Sequence, residues 1–213
     1  KSSCPSPERY MESYQCDAQR VYAVTLSAEL SGSYNSAVLG KNLYTEEHGE
    51  KQIYVFNSRS ASIGETLIAQ KIAEQGMEFE QVIAAVEKFI ARQNTYFVLE
   101  SLETLRKNGR LSGVKALVAS ALNIKPVMGG SEEGTIYQIG QARGMKKALV
   151  KLVEKVEDPE NKILAIAHCN CKERANDVRK MIEEKIHVRD VIILDTKGIS
   201  SMYASDGGII VSI

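Results

Sequence analysis

Short apolar, β-branched runs alternate along the chain with stretches whose apolar residues recur every three or four positions, which predicts strand followed by helix over most of its length. Val21-Tyr22-Ala23-Val24 reads as a first strand, and Ile53-Tyr54-Val55-Phe56, ending at Asn57-Ser58, as a second. Ser6-Pro7-Glu8 marks an earlier helix start, with proline suited to the first helical position and Tyr10 and Tyr14 on one face. A helix running through Val38 follows the first strand. Ser62 and Glu65 have the spacing of a capping box for a helix to about Glu74, and Val82, Val86, Phe89 and Ile90 share one face of the next. Strands joined by helices in this way predict parallel pairing, with ligands at the carboxyl ends of the strands.

The alternation changes around Gln93. Tyr96-Phe97-Val98-Leu99 is a strand, Leu102 to Leu105 a short helix, and Asn108-Gly109 its stop. Leu117 to Leu122 is almost wholly apolar. Ile124-Lys125-Pro126-Val127-Met128 reads as an edge strand, because proline cannot donate to a ladder. Gly130 to Gly134 is a hairpin-like turn into Ile136 to Ile139, so antiparallel pairing enters here. The cleanest helical face is Met145, Ala148, Leu149, Leu152, Val153 and Val156, with Asp158-Pro159 as its end. Strand Ile163 to Ala167, helix Glu173 to Lys185, strand Val191 to Leu194 and a closing run Ile209 to Ile213 complete the chain. The expected fold is α/β in two lobes: residues 1–93 around a parallel sheet, and residues 94–213 around a mixed one.

Between the first strand and its helix lies Thr25 to Ala37, TLSAELSGSYNSA. Ser31 or Ser33 is the expected N-cap of that helix, and Gly32 allows close approach of the backbone. First-turn N–H groups, the positive end of the helix dipole and the hydroxyls of Ser27, Ser31 and Ser33 are then expected to converge on one anion. A plain capped βα turn would use the same residue types.

Composition narrows the chemistry. The chain has 213 residues, 44% of them hydrophobic, enough for one or two packed cores. Lys+Arg and Asp+Glu both number 27, and the basic residues form no block, so nucleic acid is not an expected partner. No apolar run approaches the ~20 residues of a membrane span, and no signal-like leader is recognisable, so a cytoplasmic location is expected. The chain begins at Lys1 and its first strong strand comes only at Val21, as expected of a piece of something longer. Cys4, Cys16, Cys169 and Cys171 are too few for a disulfide scaffold and are expected to be free thiols.

Catalytic signatures are incomplete. His168-Cys169-Asn170-Cys171 has metal-binding residue types but no second ligand pair, so no metal is expected. Gly-x-Ser-x-Gly, the Gly-Lys-Ser/Thr phosphate loop and Gly-x-Gly-x-x-Gly are all absent. Asp206-Gly207-Gly208 is a turn signal.

Thr25-Leu26-Ser27 through Leu30-Ser31-Gly32-Ser33-Tyr34-Asn35-Ser36-Ala37 resembles the central signature of the DegV family, bacterial proteins that bind long-chain fatty acids. So does Leu102-Glu103-Thr104-Leu105-Arg106-Lys107-Asn108-Gly109-Arg110-Leu111-Ser112, followed by Ile124-Lys125-Pro126 and by Arg143-Gly144-Met145-Lys146-Lys147-Ala148. With Ser2-Ser3-Cys4-Pro5 and the Gly207 region, the resemblance runs over essentially the whole chain. It implies a two-lobed protein with an acyl chain such as palmitate between the lobes and its carboxylate held by hydroxyls. One hydroxyl comes from a Thr/Ser-Ser-x-Pro loop and another from the Leu-Ser-Gly-Thr/Ser turn, here Ser2 and Ser31, with Ser33 beside the latter. No cofactor is implied. Some members present the acid to a separate fatty acid kinase, which makes the implied role that of a carrier.

Three departures stand out. Family members open with a strand bearing an Asp-Ser pair, which lies before the point where this sequence begins. Tyr203-Ala204-Ser205-Asp206-Gly207 stands where many members have His-x-Gly-x-Gly, and a tyrosine does not titrate near neutral pH. Asn57 sits where Asp is common.

Burying an acyl tail contributes at most ~0.8 kcal/mol per methylene, roughly 10 kcal/mol for a long chain, against about 1.5–3 kcal/mol for a hydrogen bond to a charged carboxylate. The tail therefore sets affinity and the serines set orientation. Apolar segments such as Leu117 to Leu122 are candidates either for the lining of the tail's tunnel or for plain core. Two other classes fit parts of the sequence. One is a serine-dependent hydrolase or transferase with Ser31 as nucleophile and His168 as base, and the other is a protein-interaction module.

Overall fold

The computed structural model describes residues 2–74, 76–111, 123–156 and 162–213. The chain divides into two compact units. The first comprises Lys1–Ala61, Glu65–Arg92 and Glu132–Gly134, and the second Ser62–Gly64, Gln93–Ser131 and Thr135–Ile213. Leu117 to Leu122, Ser112 and Asp158-Pro159 lie outside the described residues.

The first unit begins with α1 (Pro7–Tyr14), whose N-cap Ser6 accepts from Arg9 N–H. Next come β1 (Arg20–Thr25), α2 (Ser33–His48) and β2 (Gln52–Asn57), then α3 (Ile63–Ala73) and α4 (Phe79–Ile90). β1 and β2 pair in parallel from Arg20↔Gln52 to Thr25↔Asn57, as the helix between them requires. Phe56, Ile68, Val82, Val86 and Ile90 form the buried cluster, and the Tyr22 ring lies 6.2 Å from Phe56 and 5.3 Å from Phe79. The face expected on α4 is the one buried. Its start carries a capping box between Glu78 and Gln81.

The second unit holds β3 (Thr95–Val98), α5 (Glu103–Lys107), β4 (Ile124–Gly130), β5 (Ile136–Arg143), α6 (Met145–Glu154), β6 (Ile163–His168), α7 (Lys172–Lys185), β7 (Asp190–Asp195), α8 (Gly198–Ala204) and β8 (Ile209–Ser212). Its strands form a six-stranded sheet in the order β5-β4-β3-β8-β6-β7, with β6 and β7 parallel and every other pair antiparallel. Side chains alternate faces along a strand. Val98, Val127 and Ile209 therefore join Leu149, Leu152 and Val178 from α6 and α7 in one cluster, while Phe97, Leu99 and Met128 join Leu105 and Ala204 from α5 and α8 in another. At the centre of the sheet both faces are covered, which explains why β3, β6 and β8 are nearly continuous apolar runs.

β4 is not an edge strand: it lies between β5 and β3. Proline is tolerated there because β3 reaches β4 only at Met128 and Gly129, after a register shift between Val127 and Met128, so Pro126 pairs only with Gln141 of β5. No helix among the described residues is long and apolar enough to cross a membrane. The four cysteines are free thiols.

Candidate functional site

In the first unit, β1 ends at Thr25 and the chain turns on Ser27. Its carbonyl accepts Leu30 N–H (3.0 Å) and Ser31 N–H (3.1 Å), and its own N–H donates to Ser60 O (2.9 Å). The Ser27 hydroxyl is fully buried, donates to Gly134 O (2.8 Å) and accepts Glu29 N–H (3.3 Å). Ser27 therefore does not converge with the other serines on a ligand, since its one hydrogen already holds the Glu132–Gly134 segment. Asn57 Oδ1 accepts Ala28 N–H (3.0 Å) and Arg59 N–H (3.2 Å), fixing the two loops at the carboxyl ends of β1 and β2. An aspartate could accept the same two bonds, so Asn57 keeps this role without a charge.

Neither Ser31 nor Ser33 is the N-cap of α2. Gly32 occupies the cap in a helical conformation with no side-chain cap bond, and Ser33 is the first helical residue. Ser31 Oγ still accepts Ser33 N–H (3.2 Å), and the two hydroxyls lie 2.9 Å apart. The first turn of α2 carries no acidic residue, so the positive end of the dipole has no carboxylate of its own there.

The Ser2-Ser3-Cys4-Pro5 stretch reaches the same place. Cys4 Sγ is 3.8 Å from Ser36 Oγ, and a Cβ on Gly32 would stand 3.2 Å from that sulfur. Half-buried Ser2 is two residues away. The structure thus brings Ser31 and Ser33 into contact, and the loop of Ser2 to the first turn of their helix.

Sequence reasoning missed Tyr10. This α1 residue packs against α2, its Cβ 2.7 Å from where a Cβ on Gly40 would stand; burial pushes its hydroxyl's pKa up, the Ser33 side chain works against the rise, and Cys4 and Glu65 add to it. Proximity of this kind, across two helices, has no signature in the sequence.

In the second unit, His168 is buried at the end of β6, its Nδ1 3.4 Å from Cys171 N–H, which it accepts, and 3.4 Å from Asp195 Oδ1. Ser31 has its bonds with Ser33, within the first unit, so each half of the nucleophile–base pairing is engaged locally. Among the described residues, no group of three or more His, Cys, Asp or Glu is placed to hold a metal ion.

Lys125 and Gly207, both in stretches that resemble family motifs, belong to a different polar cluster. Glu100, just beyond β3, takes Lys125 Nζ on Oε2 (2.6 Å) and Arg174 Nη1 on Oε1 (3.0 Å), and Arg174 also donates to Gly207 O. Gly207 has φ +84°, and a Cβ there would stand 2.8 Å from Arg174 Nη1, so the turn requires glycine twice over. Tyr203, the residue standing in for histidine, packs against the Phe97 and Leu99 cluster with Arg110 5.9 Å above its ring.

A two-stranded parallel unit with a hydroxyl-lined, acid-free helix start, followed by a six-stranded mixed-sheet unit, defines the class. The whole chain, residues 1–213, matches the family described as "Uncharacterised protein, DegV family", and the chain belongs to the DegV family. It is 64% identical, with a TM-score of 0.96, to a DegV family protein of Ruminococcus gnavus solved with vaccenic acid, a match covering 100% of this chain and 78% of that one. A DegV family protein of Eubacterium eligens loaded with heptadecanoic acid is 33% identical (TM-score 0.90; 100% and 78% covered). The Streptococcus pneumoniae Fatty Acid Kinase (Fak) B3 protein, loaded with linoleic acid, is 32% identical (TM-score 0.87; 99% and 76% covered).

Proposed function

We propose that this chain is a cytoplasmic carrier of a long-chain fatty acid such as palmitate. Ser2, Ser31 and Ser33 hold the carboxylate, and the bound acid is presented to a fatty acid kinase subunit. The observation that carries the reading is the Ser31–Ser33 hydroxyl pair, 2.9 Å apart at the acid-free start of α2, in a chain 64% identical to a protein solved with vaccenic acid. Hydroxyl and backbone N–H donors at a helix start suit a carboxylate, while the tail supplies most of the binding energy. The relation to the Fak B3 protein supports the kinase partner. A carrier needs no nucleophile–base pair, in keeping with the local bonds of Ser31 and His168.

Mass spectrometry of organic extracts of the purified protein is expected to show a long-chain fatty acid. Ser31→Ala removes one charge-assisted donor and leaves the tail's burial intact. Palmitic acid binding, measured by calorimetry, should weaken roughly ten- to a hundredfold, on the ~1.5–3 kcal/mol scale of such bonds, and 1-hexadecanol binding should barely change. Extracts without acyl species, together with no rise in Tm on adding palmitate, would refute the carrier. Equal losses for acid and alcohol would move the head-group site away from Ser31.

A further inference from the structure

Ser31 stands at the end of a turn that is held from Ser27, earlier in the same loop. Ser27 O accepts Leu30 N–H at 3.0 Å and Ser31 N–H at 3.1 Å, so the Ser27 carbonyl holds the Ser31 backbone directly. The Ser27 side chain closes the same turn. Its one hydrogen goes to Gly134 O at 2.8 Å, and with that direction set an acceptor position of the hydroxyl takes Glu29 N–H at 3.3 Å. A serine hydroxyl that accepts the N–H two residues on tightens a turn in the way a backbone carbonyl would. Gly134 is the far support, brought from the β4–β5 connection 107 positions along the chain. That connection is itself clipped by Ser131 N–H on Thr135 O at 2.8 Å and by the Ser131 and Thr135 hydroxyls, 2.9 Å apart. The seat is close: Gly134 has φ +93°, and a Cβ there would stand 2.3 Å from Ser27 Oγ and 2.8 Å from Arg59 Cα. Only glycine lets the backbone come so near.

Resting on the carboxylate reading above, we infer that Ser27 is a positioning residue for the fatty-acid head group and that the β4–β5 connection acts on the site through it. Gly134 O orients the Ser27 hydroxyl, the hydroxyl draws in Glu29 N–H, and the tightened turn presents Ser31. Ser27 itself does not meet the ligand. Its hydrogen is committed to Gly134 O and its side chain is shut off from solvent, whereas Ser31 is half-buried and within reach of an anion. Coupling of this kind is reciprocal, so a carboxylate bound at Ser31 steadies the Ser27 turn in its own right.

Ser27→Ala deletes the donor, Ser27→Cys keeps a side chain of similar shape that donates only weakly, and Gly134→Ala presses a methyl group onto the hydroxyl. The full chain is titrated by calorimetry with palmitic acid and with 1-hexadecanol in these variants, in Ser31→Ala and in the parent, with Tm and backbone amide hydrogen exchange recorded for each. Ser27→Ala and Ser27→Cys should each weaken palmitic acid about three- to tenfold, the scale of one neutral hydrogen bond, and leave 1-hexadecanol unchanged. Gly134→Ala should show the same selective loss of the acid. Exchange at Glu29, Leu30 and Ser31 should quicken in all three, and in the parent palmitic acid should slow it where 1-hexadecanol does not. Should Ser27→Ala not fold, Ser27→Cys and Gly134→Ala give the same reading. Equal losses for acid and alcohol, or a loss in Ser27→Ala that Ser27→Cys restores, would make Ser27 a packing residue and overturn the inference. Parent-like acid binding in the Ser27 and Gly134 variants, beside a clear loss in Ser31→Ala, would overturn it and leave the carboxylate reading standing. No loss in Ser31→Ala would overturn both.

Discussion

Replacing Gly40 with leucine should detach α1 from α2 and lower Tm by roughly 6–12 °C. The approach of the two helices is set by backbone as well as side chain. A Cβ at position 40 would meet Pro7 O at 2.6 Å and Met11 N at 3.0 Å, and neither atom can turn away as a flexible side chain would. Alanine requires a shift of only a fraction of an ångström, and its better helix propensity, about 1 kcal/mol over glycine, offsets part of the strain. Leucine cannot be accommodated by so small a shift. With α1 displaced, Tyr14, 2% exposed in the native structure, would lose its burial, on the order of 2 kcal/mol, and its hydrogen bond to Ala37 O, about 1 kcal/mol more. At roughly 2–4 °C per kcal/mol for a chain of this size, the Tm change follows. Lys51 Nζ, which donates to Tyr14 O (2.8 Å) and Cys16 O (2.6 Å), would be left holding only the chain that follows α1. Trypsin should then cleave at Arg9, within the released helix, faster than in the parent protein. A Gly40→Leu variant with the parent's Tm and protease resistance would show that the two helices do not need this close approach. Since the Ser2 loop leads into α1, palmitic acid binding should fall with the helix.

Much of this architecture was legible because burial repeats at the period of the element. Of the face read from the sequence, Ala148, Leu149, Leu152, Val153 and Val156 are buried and Met145 is half-buried against the same cluster, and the β-branched runs at Ile53, Ile163 and Ile209 became strands close to the expected bounds. Other features depend on partners distant in the chain. α8 has seven residues, begins at a glycine with no side-chain cap and leaves Ile199 half exposed, so neither period nor capping signalled it. Pro126 reads as an edge signal, and only the shortness of β3 and the shift after Val127 show why an interior strand tolerates it. At the site, the serine types announced hydroxyl chemistry. Which of those hydroxyls are available was decided by contacts the sequence does not show: Ser27 is bound to Gly134, 107 positions away, while Ser31 and Ser33 turn to each other.

The second unit offers a test of its own at Glu100, through acid. This carboxylate ties β3 to β4 through Lys125, and to α7 and the turn before β8 through Arg174, which also holds Gly207 O. The cations are mostly buried, with Lys125 16% and Arg174 29% exposed at the side chain, so removing Glu100 strands two charges with reduced access to water. Glu100→Gln keeps the shape and weakens both bonds. At pH 7 it should cost about 2 kcal/mol, at the lower end of what buried pairs show because Glu100 itself is 35% exposed. Burial by itself would raise the carboxyl's pKa, but the hydrogen bonds and charges of Lys125 and Arg174 outweigh it and leave the group below its usual range. A pKa depressed in the folded state means that the unfolded chain binds the proton first on acidification. The contribution of Glu100 is therefore present in full above the unfolded value of about 4.3 and is lost as pH falls through the folded one. Urea midpoints for parent and Glu100→Gln, taken from pH 7 down to 3, should accordingly converge at the acid end. Carboxylates elsewhere are common to both proteins and cancel in the difference. A gap between the two proteins that stays constant over this range would mean that Glu100 acts through packing and neutral hydrogen bonding, and that the charges of Lys125 and Arg174 are satisfied without it.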